Sequence, residues 1–382
     1  MSHIYIKNGR VILKDRIVEG ATVTINDGRI ASISSKTPPK KDAFVIDAKG
    51  CFVSPGFIDC HIHGEPEKIF INEARHGTTA FVIAESCAPL NYIYKRAEGI
   101  KEFIRNHPFG PNVLGLRLEG PYVSKLKAGA QDPAYIKKPD VKELSEILNK
   151  IGTILKIMTI APELKNAQPL IKLLRKHKVI ASIGHSDATY ESAIEGIDAG
   201  ITHSTHTFNA TSGIDRREPG VVGAVLMDDR VTAEIILDFI HVHRALSGLL
   251  LKLKKRDNVI MITDSLAALD CCGKNGDCPQ WGLSPFSKTG GAYRFSDGRL
   301  AGSSLTMIGA LKNAVNGAGL SLQEALNTIT LNPAKLLGVG EKKGSIAAGK
   351  DADIVIFDKG FDVKMTMIRG RIAFIKGKIC AG

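Results

Sequence analysis

The stretch Pro55-Gly56-Phe57-Ile58-Asp59-Cys60-His61-Ile62-His63-Gly64 leads an apolar run into a pair of histidines and a glycine. Residues two apart in a β-strand point to the same face, so His61 and His63 should project together where the strand ends. Neutral imidazole is the commonest protein ligand of divalent metal ions. A single His-x-His pair is common and usually inert, so its meaning depends on the rest of the chain.

Several later strand-like segments also end in a histidine or a carboxylate. Apolar runs lie at 113–118, 179–183, 200–202, 231–237 and 259–262, and the polar residues after them are Glu119, His185, His203 with His206, Asp238 with His241, and Asp264. Two more runs, at 79–83 and 154–160, complete eight candidate strands between about residues 52 and 264. The strands alternate with segments long enough for helices, at 141–150, 167–178, 190–199 and 245–255.

Apolar strands that alternate with helices predict a parallel sheet covered on both faces. Eight such units predict an α/β protein with a (β/α)8 TIM barrel, whose active site lies at the carboxyl ends of the strands. The histidines and carboxylates fall at that end. The pattern therefore predicts a metal-dependent catalytic barrel.

The two ends of the chain predict a second, smaller unit. Residues 4–35 contain the turn dipeptides Asn8-Gly9 and Asp27-Gly28, and residues 353–379 contain similar turns. A barrel typically takes roughly 250 residues, so the 382 residues leave room for additional structure. We expect residues 1–51 and 343–382 to form one small β-sandwich domain, and residues 52–342 to form the barrel.

Composition and charge restrict the function classes. The net charge of +12 comes from dispersed lysines and arginines, without the basic stripe interleaved with aromatic residues that nucleic-acid binding favours. A positive field would help to capture an anionic substrate. Neither a signal-peptide pattern nor a membrane-spanning apolar run occurs, so we expect a cytoplasmic enzyme without a membrane or nucleic-acid partner.

Cysteine usage agrees with a cytoplasmic location. The chain has seven cysteines, an odd number, and most of them are scattered. Such usage does not favour a disulfide scaffold. The spacing of Cys271, Cys272 and Cys278 does not match the paired cysteines of structural zinc sites, so we interpret this segment as a loop with incidental thiols.

Further motifs, taken with the opening stretch, resemble those of the N-acetylglucosamine-6-phosphate deacetylases, which belong to the amidohydrolase superfamily. The resemblance covers almost the whole chain, including the segment from Gly344 to Val355 that leads into the terminal β region. The motifs are Leu118-Glu119-Gly120-Pro121-Tyr122, Gly184-His185-Ser186-Asp187-Ala188-Thr189, Thr205-His206-Thr207-Phe208-Asn209-Ala210, Arg217-Glu218-Pro219-Gly220 and Leu300-Ala301-Gly302-Ser303-Ser304-Leu305-Thr306-Met307.

The resemblance implies the positions of the metal ligands and of the catalytic acid and base. Glu119, His185 and His206 match the principal metal site, whose two nitrogens and one oxygen suit zinc or iron and leave room for water. His61 and His63 match a second metal position of the superfamily, so one or two ions are expected. We expect His203 to pack beneath the site rather than to bind metal.

Asp264 matches the residue that takes a proton from the attacking water and delivers it to the leaving amine. The implied reaction is hydrolysis of the N-acetyl amide of N-acetylglucosamine-6-phosphate, giving acetate and glucosamine-6-phosphate. We also expect a homodimer.

The same resemblance implies the substrate contacts. The turn Asn209-Ala210, Arg217 and His241 match the phosphate site, since a guanidinium can bind phosphate through two hydrogen bonds. We expect Leu305 to contact the substrate as well.

Two of the departures from the family pattern concern Gln131 and Phe239. Gln131, in Gly129-Ala130-Gln131-Asp132-Pro133, stands where the family usually has a histidine that polarises the amide carbonyl. Its amide can donate a hydrogen bond but carries no charge. Phe239, in Asp238-Phe239-Ile240-His241, replaces a glycine and should bring an aromatic ring near the sugar pocket.

Three alternatives stay open. The substrate can be a related one, such as N-acetylgalactosamine-6-phosphate or another N-acyl amino sugar. The chain can be another amidohydrolase, such as a cyclic-amide hydrolase, but many of these carry a modified lysine at the end of strand four, where this chain has Ile160-Ala161-Pro162-Glu163 and places Lys156 near the strand start. A non-catalytic binding protein is disfavoured, because all the expected metal ligands are present.

Overall fold

The computed structural model describes residues 3–34, 43–107, 112–267, 286–377 and 380–381. The segment with Cys271, Cys272 and Cys278 lies outside these residues. Within them, Cys51, Cys60 and Cys87 are free thiols.

The chain begins with five strands, β1 (His3–Ile12), β2 (Ile17–Asn26), β3 (Arg29–Ser34), β4 (Phe44–Asp47) and β5 (Phe52–Pro55). Alternating strands and helices follow: β6 (Phe57–Ile62), α1 (Pro66–Glu73), β7 (Thr78–Glu85), α2 (Leu90–Asn106), β8 (Asn112–Leu118), α3 (Val141–Ile151), β9 (Leu155–Ile160), α4 (Ala167–Lys176), β10 (Ile180–Ile183), α5 (Tyr190–Ala199), β11 (His203–Ser204), α6 (Gly220–Met227), β12 (Thr232–Ile236), α7 (Arg244–Leu253) and β13 (Val259–Ile262). The remaining elements are β14 (Phe286–Thr289), β15 (Ala292–Phe295), β16 (Leu300–Ser303), α8 (Met307–Asn316), α9 (Leu322–Ile329), α10 (Leu331–Leu336), β17 (Ile354–Phe357), β18 (Val363–Ile368), β19 (Arg371–Ile375) and β20 (Cys380–Ala381).

Strands β6 to β13 form an eight-stranded parallel sheet in chain order. The first and last strands meet at their carboxyl ends, where the Asp264 amide donates to the His61 carbonyl at 2.8 Å and the His63 amide donates to the Ser265 carbonyl at 3.1 Å. The sheet therefore closes into a barrel beside the His-x-His pair. The predicted (β/α)8 fold class is confirmed.

Two of the predicted strands differ from the observed ones by more than one or two end residues. The run expected as one strand from residue 52 divides at Gly56, where an added Cβ would lie 2.1 Å from Thr79 Oγ1, so only glycine fits this crossing. The run expected at 200–202 precedes β11, because the Ile201 amide still donates to Gly196 in the last turn of α5, at 3.1 Å. The first difference arises from a tertiary contact and the second from the local hydrogen bonds that end α5, and an apolar run reveals neither.

The terminal segments combine in a nine-stranded sheet with the path β19-β18-β17-β5-β1-β2-β3, in which β4 pairs with β1 and β20 pairs with β4. Strand β5 is parallel to β1 and antiparallel to β17, so it joins the two ends of the chain. Residues 52–55, expected in the barrel domain, therefore pair within this sheet. Its own buried core includes Ile6, Val23, Ile354 and Met365.

Asp353 links the terminal sheet to the barrel. Its Oδ2 accepts hydrogen bonds from Lys343 Nζ at 2.6 Å and from Asn112 Nδ2 at 3.1 Å, and its carbonyl accepts from the Gly56 amide at 2.8 Å. The side chains of Lys343 and Asp353 are 8% and 6% exposed. Water therefore has little access to these groups and can replace few of the hydrogen bonds to Asp353.

Asp353→Ala should lower the free energy of unfolding by about 3 kcal/mol, because it leaves buried donors of Lys343 and Asn112 without this acceptor. The matched control is Asp257→Ala, which removes the ion pair between Asp257 and Lys335. The side chains of Asp257 and Lys335 are 72% and 45% exposed. That change should cost less than about 1 kcal/mol. Denaturant titration of both variants gives the comparison, and equal losses would contradict the assigned role of Asp353.

Candidate metal centre and active site

Five barrel strands deliver acidic and histidine side chains to one end of the barrel. These are His61 on β6 and His63 just after it, Glu119 after β8, His185 after β10, His206 after β11, and Asp264 after β13. The side chain of Asp264 is 14% exposed, and the others are more deeply buried. The structure thus brings together all the ligands and the acid/base residue predicted from the sequence.

The carboxylate of Glu119 stands between two pairs of imidazoles. Its Oε1 lies 3.1 Å from His61 Nε2 and 3.3 Å from His63 Nε2. Its Oε2 lies 3.2 Å from His185 Nε2 and 3.3 Å from His206 Nε2. One residue therefore faces both predicted metal positions.

Two groups of ligand atoms are compact enough to hold a cation. His61, His63, Glu119 and Asp264 form one group, and the atoms of each group lie within 4.8 Å of one another. The second group consists of Glu119, His185 and His206. Two nitrogens and one oxygen match the protein ligands of a catalytic zinc site.

The electrostatics of these groups fit a divalent cation. Burial would raise the pKa of Glu119, but His61 and the hydrogen bonds to His185 and His206 hold it well below its usual value. Burial lowers the pKa of His63, but Asp264 and Glu119 outweigh it and raise the pKa to about 10. The buried carboxylates thus favour positive charge between the rings.

His61 supplies a second sign that the groups fit a cation. Its Nε2 is buried and forms no hydrogen bond of ordinary geometry, although Glu119 Oε1 is only 3.1 Å away. A buried ring nitrogen without such a bond is costly unless a ligand satisfies it. The residues present therefore fit a metal ion.

The backbone turns sharply at three of the site residues. His185, His206 and Asp264 have φ angles of 47°, 28° and 50°. Non-glycine residues rarely adopt positive φ, and such conformations concentrate at functional sites. Each turn comes directly after a barrel strand and directs a side chain into the site.

The loop after β8 fixes His185. The Nδ1 of His185 lies 3.0 Å from the Lys127 carbonyl, so Nδ1 carries the proton and Nε2 faces Glu119. Gly129 follows with φ of 59°, and an added Cβ there would lie 3.3 Å from the His185 ring. A glycine is needed for this close approach.

A cavity of about 290 Å³ opens over the ligands. Gln131 lines it and is 5% exposed. The Oε1 of Gln131 accepts from the Cys87 amide at 2.6 Å, which leaves the side-chain NH2 as a donor without a partner among the described residues. The cavity wall thus offers a neutral donor beside the metal groups.

The predicted phosphate residues are only partly brought together. Asn209, Ala210 and His241 line the cavity. His241 Nδ1 lies 2.6 Å from Asp238 Oδ2, and its buried Nε2 has no hydrogen-bond partner among the described residues. Arg217 is exposed on the loop before α6 and does not line the cavity.

Two apolar side chains lie away from the cavity wall. Leu305 is half-buried and packs against the core. The ring of Phe239 packs against Gly317 at the end of α8, where an added Cβ would lie 2.5 Å from the ring. Phe239 is not among the described residues that line the cavity, and the expectation that its ring lies near the sugar pocket stays a prediction.

Arg299 lines the cavity but was not predicted from the sequence. Its Nη1 donates to the Gly129 carbonyl at 3.0 Å, and its Nε pairs with Asp297 at 2.8 Å. The sequence gives no signal for this contact, because 170 residues separate the partners. Among the described residues, Arg299 is the one arginine or lysine of the cavity wall.

Lys156 cannot serve as a modified bridging lysine. It lies near the start of β9 and donates to the Thr153 carbonyl at 2.8 Å, at the end of the strand opposite the site. The carboxylate between the two metal groups is supplied by Glu119 instead. The alternative based on a strand-four lysine therefore has no support in the structure.

A buried polar layer lies directly beneath the ligands. Glu234 on β12 contacts Arg117, His203 and His61, and none of the four side chains is exposed to solvent. Burial would raise the pKa of Glu234, but Arg117 and His203 hold it well below its usual value. The sequence prediction that His203 packs beneath the site agrees with this position.

The barrel and its cluster of histidines and carboxylates define a metal-dependent hydrolase. Residues 52–373 match the Amidohydrolase family, and the chain belongs to that family. None of the helices that the structure describes is long and apolar enough to cross a lipid bilayer.

Known relatives narrow the class. The chain is 34% identical to an N-acetylglucosamine-6-phosphate deacetylase of Bacillus subtilis, over 97% of each chain. It is 31% identical to an N-acetylgalactosamine-6-phosphate deacetylase of Escherichia coli O157:H7, over 98% of this chain and 100% of the relative. A mutant N-acetyl-D-glucosamine-6-phosphate deacetylase from Mycobacterium smegmatis, solved with N-acetyl-D-glucosamine-6-phosphate, matches with a TM-score of 0.89 and 29% identity, over 98% of this chain and 100% of that one.

Proposed function

We propose that the protein hydrolyses the N-acetyl amide of N-acetylglucosamine-6-phosphate, releasing acetate and glucosamine-6-phosphate. The observation that carries the proposal is Glu119, which faces two pairs of imidazoles at the floor of a cavity bordered by Gln131 and His241. The relatives named above support the substrate class. Acetate release from the phosphorylated sugar by purified protein tests it directly, and no release with metal-loaded protein would contradict it.

The cofactor in this proposal is a divalent cation, zinc or iron, present as one or two ions. Glu119, His185 and His206 would hold the principal ion, and His61 and His63 a second one. A bound ion acts as a Lewis acid and activates water at neutral pH. Zinc is favoured by the ligand set of two histidines and one carboxylate.

Asp264 is proposed to move the proton. Its Oδ1 lies 3.1 Å from His63 Nε2, and its carboxylate lines the cavity. Burial would raise the pKa of Asp264, but His61 and His63 keep it below the usual value, so the carboxyl group is ionised at neutral pH. Water adds to the carbonyl carbon of the acetyl group as Asp264 takes up its proton, and the C–N bond then breaks as Asp264 delivers that proton to the amine nitrogen.

Gln131 is proposed to orient the acetyl group. Its carbonyl is held by the Cys87 amide, so its NH2 can donate to the acetyl oxygen. A neutral donor stabilises a developing negative charge less than a charged one does. Gln131→His should therefore leave the fold intact and change kcat more than KM.

N-acetylgalactosamine-6-phosphate is the second candidate substrate. The 31% identity to a deacetylase of that name supports it. Comparing kcat/KM for the two epimers decides between them.

Phosphate recognition is proposed to involve His241, the Asn209-Ala210 turn and one or both of two arginines, Arg217 and Arg299. Arg217 is proposed from the family resemblance, and Arg299 from its place in the cavity wall. Arg299 is 61% exposed, so it can reach a ligand without loss of packing. A charged hydrogen bond to phosphate contributes about 1.5–3 kcal/mol.

An arginine of this pair that binds phosphate should, when it is changed to Ala, raise KM for the 6-phosphorylated sugar by about tenfold or more, since 1.4 kcal/mol corresponds to tenfold. KM for the unphosphorylated sugar should scarcely change. Arg294→Ala is the matched control, because Arg294 lies on the same hairpin and donates to the Gly298 carbonyl outside the cavity. An arginine whose removal affects both sugars equally does not bind phosphate.

A homodimer in the cytoplasm completes the proposal. Leu126, Ile214 and Ile240 are 81%, 55% and 36% exposed on loops after β8, β11 and β12, and we propose that these side chains supply dimer contacts. The free thiols of Cys51, Cys60 and Cys87 suit a reducing compartment. Light scattering of wild type and of Ile214→Glu tests the dimer, and a monomeric wild type would contradict it.

A further inference from the structure

The Glu234 carboxylate is the acceptor in each hydrogen bond that the structure describes for it. Its Oε1 accepts from Arg117 and from His203 Nε2, the latter at 2.8 Å. Its Oε2 accepts from the His206 amide at 3.1 Å and faces His61 Nδ1 at 3.3 Å. The side chain is completely buried, so no water substitutes for these partners.

The proton positions follow from this arrangement. Arg117 keeps all its protons in proteins, and a backbone amide can only donate. Both oxygens of Glu234 are therefore acceptors, so the side of the His61 ring that faces Oε2 must carry a proton. In neutral His61 that proton is on Nδ1, and the lone pair is on Nε2, which faces Glu119 and Asp264.

We propose that Glu234 is a positioning residue that fixes the tautomer of His61 and thereby creates the second metal position. The inference rests on the divalent cation of the proposed function. Carboxylates that accept the distal N–H of a metal-binding histidine raise its basicity and hold its ring orientation. Here one carboxylate, locked by Arg117 and His203, performs both tasks for His61.

The effect should be selective for the second position. Glu234 contacts His206 through the backbone amide alone. The ring of His185 is held separately, by the Lys127 carbonyl. Loss of the Glu234 carboxylate should therefore affect the group formed by Glu119, His185 and His206 less than the group that contains His61, because it removes an acceptor only from the His206 backbone.

Glu234→Gln tests the tautomer without changing the size of the side chain. Glutamine has one acceptor, and placing its NH2 against Arg117 would oppose a guanidinium that cannot release a proton. Its oxygen must therefore face Arg117, and its NH2 must face His61 Nδ1, where it also removes the acceptor of the His206 amide. His61 then moves its proton to Nε2, and the lone pair that faced Glu119 is lost.

The measurement is a zinc titration followed by elemental analysis of the folded protein. Wild type should bind two ions per chain, and Glu234→Gln should bind the second about 10- to 100-fold more weakly, with a smaller loss of affinity for the first. His203→Gln is the matched control, because it keeps a donor for Glu234 and should retain both ions. Equal second-ion affinity in wild type and Glu234→Gln would overturn the inference, as would a single ion in wild type.

A second measurement needs no variant of Glu234. The ¹⁵N resonances of the imidazoles in zinc-loaded wild type, assigned with His61→Asn, report which nitrogen of His61 carries the proton. We expect Nδ1, and a proton on Nε2 would overturn the inference. If wild type binds two ions with this tautomer but releases no acetate from the sugar phosphates, the proposed function fails while the role of Glu234 stands.

Discussion

Asp264→Asn should lower kcat by about 10²–10⁴-fold, the usual contribution of a general acid/base. Asparagine has nearly the same size as aspartate, but its amide cannot take up a proton from water and return it to the amine. The principal metal group does not include Asp264. The variant should therefore keep its principal ion and bind the sugar phosphate with a KM close to that of wild type.

The control for this loss is Asp187→Asn. Asp187 also follows a barrel strand, but its side chain is 39% exposed and pairs with Lys127 at 3.4 Å. Its replacement should change kcat by less than about twofold, because exposed ion pairs contribute little. Turnover near the wild-type value in Asp264→Asn would show that another group moves the proton.

The site residues that the sequence revealed share one property. Glu119, His185, His206 and Asp264 each come at the carboxyl end of an apolar strand, and eight parallel strands bring such ends together. The position of each residue after a barrel strand is therefore enough to predict that the four side chains lie close together. The left-handed backbone at three of these residues needed the structure, because no pattern of side chains signals it.

Glu234 and Arg117 could not be predicted in the same way. Both lie within barrel strands, where apolar residues dominate, and 117 positions separate them. Neither charge alone suggests a partner. Their pairing depends on which side chains meet inside the closed barrel.

The positions of several loop residues could not be predicted from the sequence. Arg217 belongs to a motif that resembles a phosphate site, yet the described chain places it outside the cavity wall, while Arg299 reaches that wall from a hairpin. The ring of Phe239 packs against Gly317, the glycine at the end of α8. Loop paths are set by such contacts, which periodicity does not encode.

Removal of the metal by chelation should abolish activity. His185→Ala should also abolish activity, and added zinc should not restore it. Its Nε2 lies 3.2 Å from both Glu119 Oε2 and His206 Nε2, so the change removes one of three ligands of the principal group. We expect kcat/KM to fall by at least about 10³-fold, since a bound cation contributes several kcal/mol to the rate. Elemental analysis should show a loss of the principal ion.

Restoration with zinc separates metal loss from damage to the fold. Chelated wild type should regain activity when zinc is added, because its three ligands remain, whereas His185→Ala should not. His177→Ala is the control, since His177 is exposed at the end of α4 and should leave both metal content and rate unchanged. Full activity in a metal-free preparation would contradict the entire mechanism, because Asp264 and Gln131 alone provide neither a Lewis acid nor an activated water.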